Sequence, residues 1–350
     1  MEDWKKTASL IALVSMIVAA CSGAATTTAA SGEPTAGSPS AVRLGYFPNV
    51  THAPALVGVA DGIFQAELGD LPLEVLTFNA GTEAIEALFA GAIDMTFIGP
   101  NPAINAHAQS EGAAIRIVAG STSGGAALVV KPEVSGPEEM TGLRIATPSL
   151  GNTQDVALRA WLQKQGYESD LEGGGDVAVI PQPNSQSLET FISGDIDGAW
   201  VPEPWATRLV LEGGGKVLVD ERDLWPGGEF VTTHLIVSTD FLETYPDAVT
   251  AVLRGLVESI DMINEDADSA RETVNARIEE LTGSRLADET ILGAWSNLTF
   301  TLDPIASSLR KSADDAIAVG LLEPVDLTGI YSLEALNGIL SIMNRETITS

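Results

Sequence analysis

The sequence predicts an α/β protein built as two similar lobes, and three observations carry that reading. First, "ALFAGAIDMTFIGPNPA" (87–103) has a near-copy in "TFISGDIDGAWVPEPWA" (190–206). Second, strand-like and helix-like stretches alternate through most of the chain, which is the pattern of a largely parallel sheet. Third, 350 residues with 45% hydrophobic content suffice for two lobes of ordinary domain size.

The near-copy aligns Gly91 with Gly194, Ile93 and Asp94 with Ile196 and Asp197, Phe97 with Trp200, and Ala103 with Ala206. Glycine suits the left-handed residue that ends a helix. The prolines at 100 and 102, or 202 and 204, suit a corner that opens a new one. Each copy reads as helix, strand, loop, helix. A period of about a hundred residues that occurs twice is too long for a solenoid and fits paired lobes.

Acidic residues outnumber basic ones 48 to 18, a formal charge of −30 spread along the chain. Nucleic acid is therefore not an expected partner, because it needs a basic face. An anionic ligand would have to be held by local dipoles or a local cation against the overall field. The single cysteine, Cys21, excludes a disulfide framework and a cysteine metal site. No cofactor or metal is expected.

The start, "MEDWKKTASLIALVSMIVAAC", has Lys5 and Lys6 before an apolar run from Ala8 to Ala20, shorter than the ~20 residues of an ordinary membrane span. Val18-Ala19-Ala20-Cys21 resembles a bacterial lipoprotein box. That resemblance implies a signal peptide over residues 1–20 and lipidation at Cys21; an ordinary secretory signal with an incidental cysteine is the alternative. Residues 21–40 lack any large apolar side chain and are expected to be a flexible tether. Together these place the body outside the cytoplasmic membrane, anchored through its N-terminal lipid.

The body opens with "VRLGYFPN" as a strand, then a helix over about 53–64 and the strand "LPLEVLTF". In "NAGTEAIEALFAG", Thr82 is the expected N-cap with Glu83 and Glu86 in the first turns. Strand "IDMTFIG", helix "NPAINAHAQSEG" and strands "IRIVAG" and "AALVVKP" follow. The Pro/Gly density of "KPEVSGPEEMTG" suggests a crossing between lobes, after which "LRIATPSLGNTQDVALRAWLQKQG" restarts the pattern. "VAVIPQPN", "SQSLETFISG", the second copy and "KVLVDE" complete that lobe. "EFVTTHLIVS" is long enough to travel back, and only helices are expected beyond it, among them "PDAVTAVLRGLVESIDMINED" and "DETILGAWSNL". The expected division is lobe 1 at 41–130 with 238–350 and lobe 2 at 131–237.

Small ligands bind at the carboxyl ends of parallel strands and between domains. The loops at those ends supply the candidate ligand-binding residues: Asn49, Thr51 and His52; Asn79, Gly81 and Thr82; Gly99 and Asn101; Ser121 and Ser123; Gly151, Asn152 and Thr153; Asn184; Glu203 and Trp205; Thr232 and His234. Tyr46 can cover a ligand or fill the lobe's edge. His52 can donate to an anion or serve as a cap. His234 can reach the cleft from its crossing strand, and Trp205 can wall an organic tail or simply pack. Helices beginning near Thr51, Thr82, Pro102 and Asn152 would present N–H groups to an anion. Glu203 would repel an anion unless it bonds backbone or an amine. Arg159 and Arg208 lie beyond their loops and read as surface or salt-bridging residues; His107, in mid-helix, reads as non-functional.

"LGYFPNVTHAPALVG", "NAGTEAIEALFAGAID", "GPNPAINAH", "LGNTQDVALRAWL" and "GAWVPEPWATRLV", in that order, resemble the solute-binding proteins of ABC importers for nitrate, sulfonates and taurine, a family with thiamine-pyrimidine-binding relatives. The resemblance runs from about residue 42 to at least 245. It implies the two-lobed periplasmic-binding-protein fold of type II, closure on a small ligand such as an aliphatic sulfonate or taurine, and delivery to membrane permease subunits by a monomer. Nitrate, bicarbonate or a vitamin precursor (a thiamine pyrimidine, riboflavin) are the alternative ligands. An enzyme is the contrasting class, but no HExxH, GxSxG or GxxxxGK[ST] run is present.

Overall fold

The computed structural model describes residue 37 and residues 39–350. Cys21, the expected signal peptide and most of the expected tether lie outside the described residues. Residues 37–350 form one compact unit.

The chain begins with β1 (Val42–Tyr46), α1 (Ala53–Ala60), α2 (Ile63–Leu68), β2 (Leu73–Thr77), α3 (Gly81–Phe89), β3 (Met95–Ile98), α4 (Pro100–Gln109) and β4 (Ile115–Gly124). The pattern restarts with β5 (Ala126–Val130), β6 (Arg144–Thr147), α5 (Thr153–Gln165), β7 (Ala178–Pro181), α6 (Asn184–Ser193), β8 (Gly198–Pro202), α7 (Trp205–Leu211) and β9 (Lys216–Asp220). The return segment comprises β10 (Val231–Ser238), α8 (Thr239–Thr244), α9 (Pro246–Glu265), α10 (Ala267–Thr282), α11 (Asp288–Ser296), β11 (Leu298–Phe300), α12 (Ala306–Ala318) and α13 (Glu334–Ile342).

These strands make two sheets, ordered β11-β4-β10-β3-β1-β2 and β7-β6-β8-β5-β9. In each, three parallel strands (β2, β1, β3 or β7, β6, β8) adjoin one antiparallel strand, β10 or β5. Both antiparallel strands arrive from the neighbouring lobe, so each lobe is completed by a strand that follows the other in sequence. Helices cover both faces of both sheets, giving four apolar layers. Phe64, Leu56 and Val252 sit on one face of the first sheet and Ile104, Leu88 and Leu309 on the other. Trp161 and Trp200 sit on one face of the second, and Phe191 and Leu209 on the other.

The two copies also share a polar clamp. Arg43 N–H and Nε donate to Asp94 Oδ2 at 2.8 and 3.0 Å, and the guanidinium also reaches the Gly91 carbonyl. Arg144 N–H and Nε donate to Asp197 Oδ2 at 2.8 and 3.2 Å, and its Nη2 donates to the Gly194 carbonyl. The repeated Asp thus ties the first of the three parallel strands of each lobe (β1 or β6) to the turn before the last of them (β3 or β8).

Five expectations are corrected. The crossing between sheets falls at Gly124 and Gly125, both at positive φ (78° and 70°), rather than at 131, so β5 belongs to the second lobe. Two adjacent left-handed residues reverse the chain in the space of one peptide, a turn that glycine alone makes without steric cost. The return crossing likewise precedes β10, which lies wholly in the first sheet from Val231 rather than from 238. The helix expected over 53–64 is divided at Asp61–Gly62 into α1 and α2. Thr82 is exposed and is not a cap; α3 starts at Gly81, and the Asn79 N–H donates to the Glu83 carboxylate at 3.0 Å. A short strand, β11, also appears in the segment expected to be helical.

Candidate functional site

A small cavity of about 40 Å³, lined largely by buried residues, lies between the lobes. It is bounded by the carboxyl ends of β1, β2 and β3 in one sheet and of β6, β7 and β8 in the other, with Thr232 and Thr233 at the start of β10 on the side of the first sheet. Pocket volumes for drug-sized ligands run about 300–1,000 Å³, so this space suits an ion of a few non-hydrogen atoms.

Contacts around the rim hold the lobes closed over it. Trp205 Nε1 donates to Asn49 Oδ1 at 3.0 Å on one side. On the other, α5 meets α12 through Lys164 to Asp315 at 3.0 Å and Gln163 Nε2 to the Ala318 carbonyl at 3.2 Å. Gly99 and Thr153 face each other where the lobes come nearest: a Cβ built on Gly99 would lie 2.6 Å from Thr153 Oγ1.

Four α-helices end their N-terminal turns on the cavity. Gly81 opens α3, Gly99 caps α4, Asn152 and Thr153 open α5 and Asn184 opens α6; Thr51 and His52 form a single 3₁₀ turn ahead of α1. Each α-helix N-terminus carries roughly +0.5 of a charge, together with backbone N–H groups that lack helical partners. Among the described residues, no Lys, Arg, Asp or Glu side chain lines the cavity. Burial pushes the His52 imidazole down to about 3, so it too is neutral. A chain of net charge −30 therefore holds a spot where the local dipoles favour an anion.

Neighbouring hydrogen bonds orient the buried polar side chains. The Phe47 N–H donates to His52 Nδ1 at 3.4 Å, which leaves Nε2 as the protonated nitrogen. The Trp205 bond occupies Asn49 Oδ1 and leaves the Nδ2 donors. Asn152 accepts the Asp155 N–H at 3.0 Å through Oδ1 and donates to Gln154 Oε1 at 3.3 Å, leaving Gln154 Nε2 as a donor. Beneath this loop, Asp155 accepts from Thr147 Oγ1 and the Gly151 N–H and pairs with the fully buried Arg159 at 3.1 Å. Arg159 is thus salt-bridging but not on the surface, and Arg208 pairs with Glu212 at 2.7 Å.

The cavity brings together Asn49, Thr51, His52, Asn79, Gly81, Gly99, Asn152, Thr153, Asn184 and Thr232. Nine other candidates lie elsewhere. Tyr46 points into the core of the first lobe and its hydroxyl accepts from Arg277 Nη2 at 2.9 Å. Thr82 faces solvent one residue past the helix start. Asn101 donates to the Ser312 carbonyl at 3.2 Å, bracing α4 against α12. Ser121 is buried within β4, and Ser123 faces a separate hollow beside Arg222 and Asn297. Gly151 serves the Asp155 loop through its N–H. Glu203 turns away from the cavity and accepts from the Thr207 N–H, Thr207 Oγ1 and Asn297 Nδ2 at 3.0, 3.0 and 2.7 Å. Trp205 touches the site only through Asn49. His234 is buried in the first sheet with Nε2 against the Pro304 carbonyl at 3.1 Å.

Phe47, Pro148, Gln154, Pro202 and Thr233 also line the cavity without having been singled out from the sequence. Gln154 stands in the same polar loop as Asn152, and its position two residues past an N-cap was the available signal.

The NMT1-like family model matches residues 35–278. The chain belongs to this family. It is 30% identical over 207 residues to the taurine-binding periplasmic protein of Escherichia coli, a match covering 59% of this chain and 62% of that one, so it spans under two thirds of that relative's length. The fold is that of periplasmic binding proteins. The alkanesulfonate-binding protein SsuA from Xanthomonas axonopodis pv. citri, bound to MOPS, superposes with a TM-score of 0.68 at 19% identity, over 82% of this chain and 96% of that one. The periplasmic nitrate-binding protein NrtA from Synechocystis PCC 6803 gives 0.71 at 17% identity, over 87% and 89%.

Proposed function

We propose that this NMT1-like protein is the extracytoplasmic solute-binding component of an ABC importer, that it binds a small oxyanion between its lobes, and that it delivers the ion to membrane permease subunits. The observation that carries the reading is the convergence of four helix N-termini on a small cavity that has, among the described residues, no charged side chain in its lining. Dipoles and N–H donors hold a weakly hydrated anion there without a fixed counter-charge. The similarity to proteins named for taurine, sulfonate and nitrate binding supports the same role.

The small cavity suits a sulfonate head group, nitrate or hydrogencarbonate and is far smaller than a flavin. Taurine is the less suited sulfonate, because its ammonium group would find no carboxylate: Glu203 is committed to Thr207 and Asn297. The cavity side chains bind and orient and offer no nucleophile with an adjacent free base, so the ligand is released unchanged. The chain acts as a monomer tethered through lipid on Cys21.

Thermal unfolding of the purified chain against alkanesulfonates, taurine, nitrate, hydrogencarbonate, a pyrimidine and riboflavin tests this. A ligand at a hundred times its dissociation constant adds ~2.7 kcal/mol and raises the midpoint by several degrees. A rise with small oxyanions is expected; a rise only with the pyrimidine or riboflavin would move the role to vitamin salvage. Metabolic labelling with an alkyne fatty acid, lost in Cys21→Ser, tests the anchor.

A further inference from the structure

Resting on the small-oxyanion reading, we infer that Asp155 is a positioning residue for the ligand: from beneath the site its carboxylate holds the loop between β6 and α5 in the shape that presents the loop's donors, and Arg159 balances its charge. That loop and the first turn of α5 supply Pro148, Asn152, Thr153 and Gln154 to the cavity lining, and Asp155 is not part of it. Asp155 is fully buried. Its Oδ1 accepts from Thr147 Oγ1 at 2.9 Å and its Oδ2 from the Gly151 N–H at 3.0 Å, while its own N–H donates to Asn152 Oδ1 at 3.0 Å. One residue thus joins the end of β6 to the turn that opens α5.

Two features set this apart from an ordinary helix cap. An acid three residues past a cap ordinarily returns to the cap's own N–H. Here the Asn152 N–H meets the Ser149 carbonyl at 3.3 Å, and the Asp155 carboxylate reaches past it to Gly151 and Thr147, so its bonds fix the loop and not only the helix end. The second feature is the charge. Of the four helices that meet the cavity, α5 alone has a buried acid in its first turn; α4 and α6 have none there, and Glu83 of α3 is exposed. A carboxylate in that place competes with an anionic ligand for the same helix dipole. Arg159, one turn along, relieves the conflict: its Nε donates to Asp155 Oδ2 at 3.1 Å and its Nη1 to the Asp170 carbonyl at 2.6 Å. A buried pair of this kind adds little stability over apolar residues of the same volume. What it supplies is the shape of the loop above it.

Calorimetry with nitrate, hydrogencarbonate and ethanesulfonate on two double variants tests the assignment. Asp155→Asn with Arg159→Met removes both charges but keeps an acceptor for the Gly151 N–H and a donor to the Thr147 hydroxyl; Asp155→Ala with Arg159→Met removes both charges and the hold. Each ion that binds the parent should bind the asparagine variant within about threefold and the alanine variant about tenfold more weakly or worse, measured below both unfolding midpoints. Hydrogen exchange should quicken at residues 149–154 in the alanine variant alone. A role in stability only would lower the midpoints and leave the two affinities equal. Should either double variant not fold, Thr147→Val carries the test: it keeps the shape and both charges, cuts one of the two bonds to the loop, and should weaken binding severalfold. Equal affinities in the two double variants, or parent-like affinity in Thr147→Val, would overturn the role of Asp155 and leave the oxyanion receptor standing. If none of the three ions binds the parent, the receptor reading falls, and this inference with it.

Discussion

Trp205 Nε1 and Asn49 Oδ1 meet at 3.0 Å across the cleft, one from the second lobe and one from the first. The bond does two things: it holds the rim closed, and it turns the Asn49 amide so that its NH₂ is left for the cavity. Trp205→Phe removes the donor and keeps most of the packing surface. We expect oxyanion affinity to fall threefold to tenfold, the ~0.5–1.5 kcal/mol of one hydrogen bond, with little change in the unfolding midpoint of the ligand-free protein. Titration calorimetry beside a thermal melt reads both.

Gly99 is required by proximity rather than by its own backbone angle. A methyl group at this position would press on Thr153 Oγ1 at 2.6 Å, so Gly99→Ala should prop the lobes apart. Small-angle scattering should show a larger radius of gyration in the presence of ligand, and affinity should drop. The double variant Gly99→Ala with Thr153→Ala removes the hydroxyl that the new methyl meets; recovered compaction would identify this contact as the cause.

The buried titratable groups pull stability in opposite directions with pH. Burial pushes His234 down to about 4 from an ordinary 6.5, so below about pH 6.5 the unfolded chain takes up a proton that the folded imidazole refuses, and stability falls on acidification. His52, pushed down to about 3, adds to that loss. Burial pushes Glu221 up to about 7, against donors Trp200 Nε1 at 2.8 Å and Trp225 Nε1 at 3.4 Å. Its folded form keeps a proton that the unfolded chain releases above an ordinary 4.5, so it gains stability as pH falls from about 7. Urea unfolding of His234→Gln should therefore lose less stability between about pH 6 and pH 5 than the parent, by ~1.4 kcal/mol per pH unit, whereas Glu221→Gln should lose more by a similar slope. Parallel curves for parent and variants would contradict the assignment.

The paired clamps predict unequal costs. Asp94 has 5% of its side chain exposed and Asp197 has 25%, while their arginine partners are 36% and 42% exposed. Asp94→Asn should destabilise the fold by ~1–2 kcal/mol, less than for a fully buried pair because the arginine is partly solvated. Asp197→Asn should cost about half of that or less. Denaturant midpoints at constant m-value check the ranking.

Much of this arrangement can be read from the chain because it rests on local chemistry. Gly194 at the end of α6, the Pro-rich corners at 100–102 and 202–204, and the Asn152 cap all act within a few residues. The sheet exchange was misplaced because two adjacent glycines at 124–125 carry less compositional weight than the Pro/Gly cluster at 131–142, which is a surface turn. Tyr46 shows the limit of strand alternation. Tyr46 and Phe47 point to opposite sides of β1, and only the packing of α10 decides that Tyr46 meets Arg277 while Phe47 faces the cavity. Glu203 and His234 depend likewise on Asn297 and Pro304, each about 70 residues or more away in sequence. No local pattern announces those partners.

The central claim is that uncharged walls and helix N-termini hold a small oxyanion in this cavity. Titration calorimetry of the purified chain with hydrogencarbonate, nitrate and ethanesulfonate, at low and at raised sodium chloride, tests it most directly. Because the lining is buried and uncharged, binding of at least one of these ions should be 1:1 and should weaken only modestly with salt, unlike that of an exposed ion pair. An absence of heat and of competition with all three ions, or binding that vanishes as salt is raised, would contradict the account.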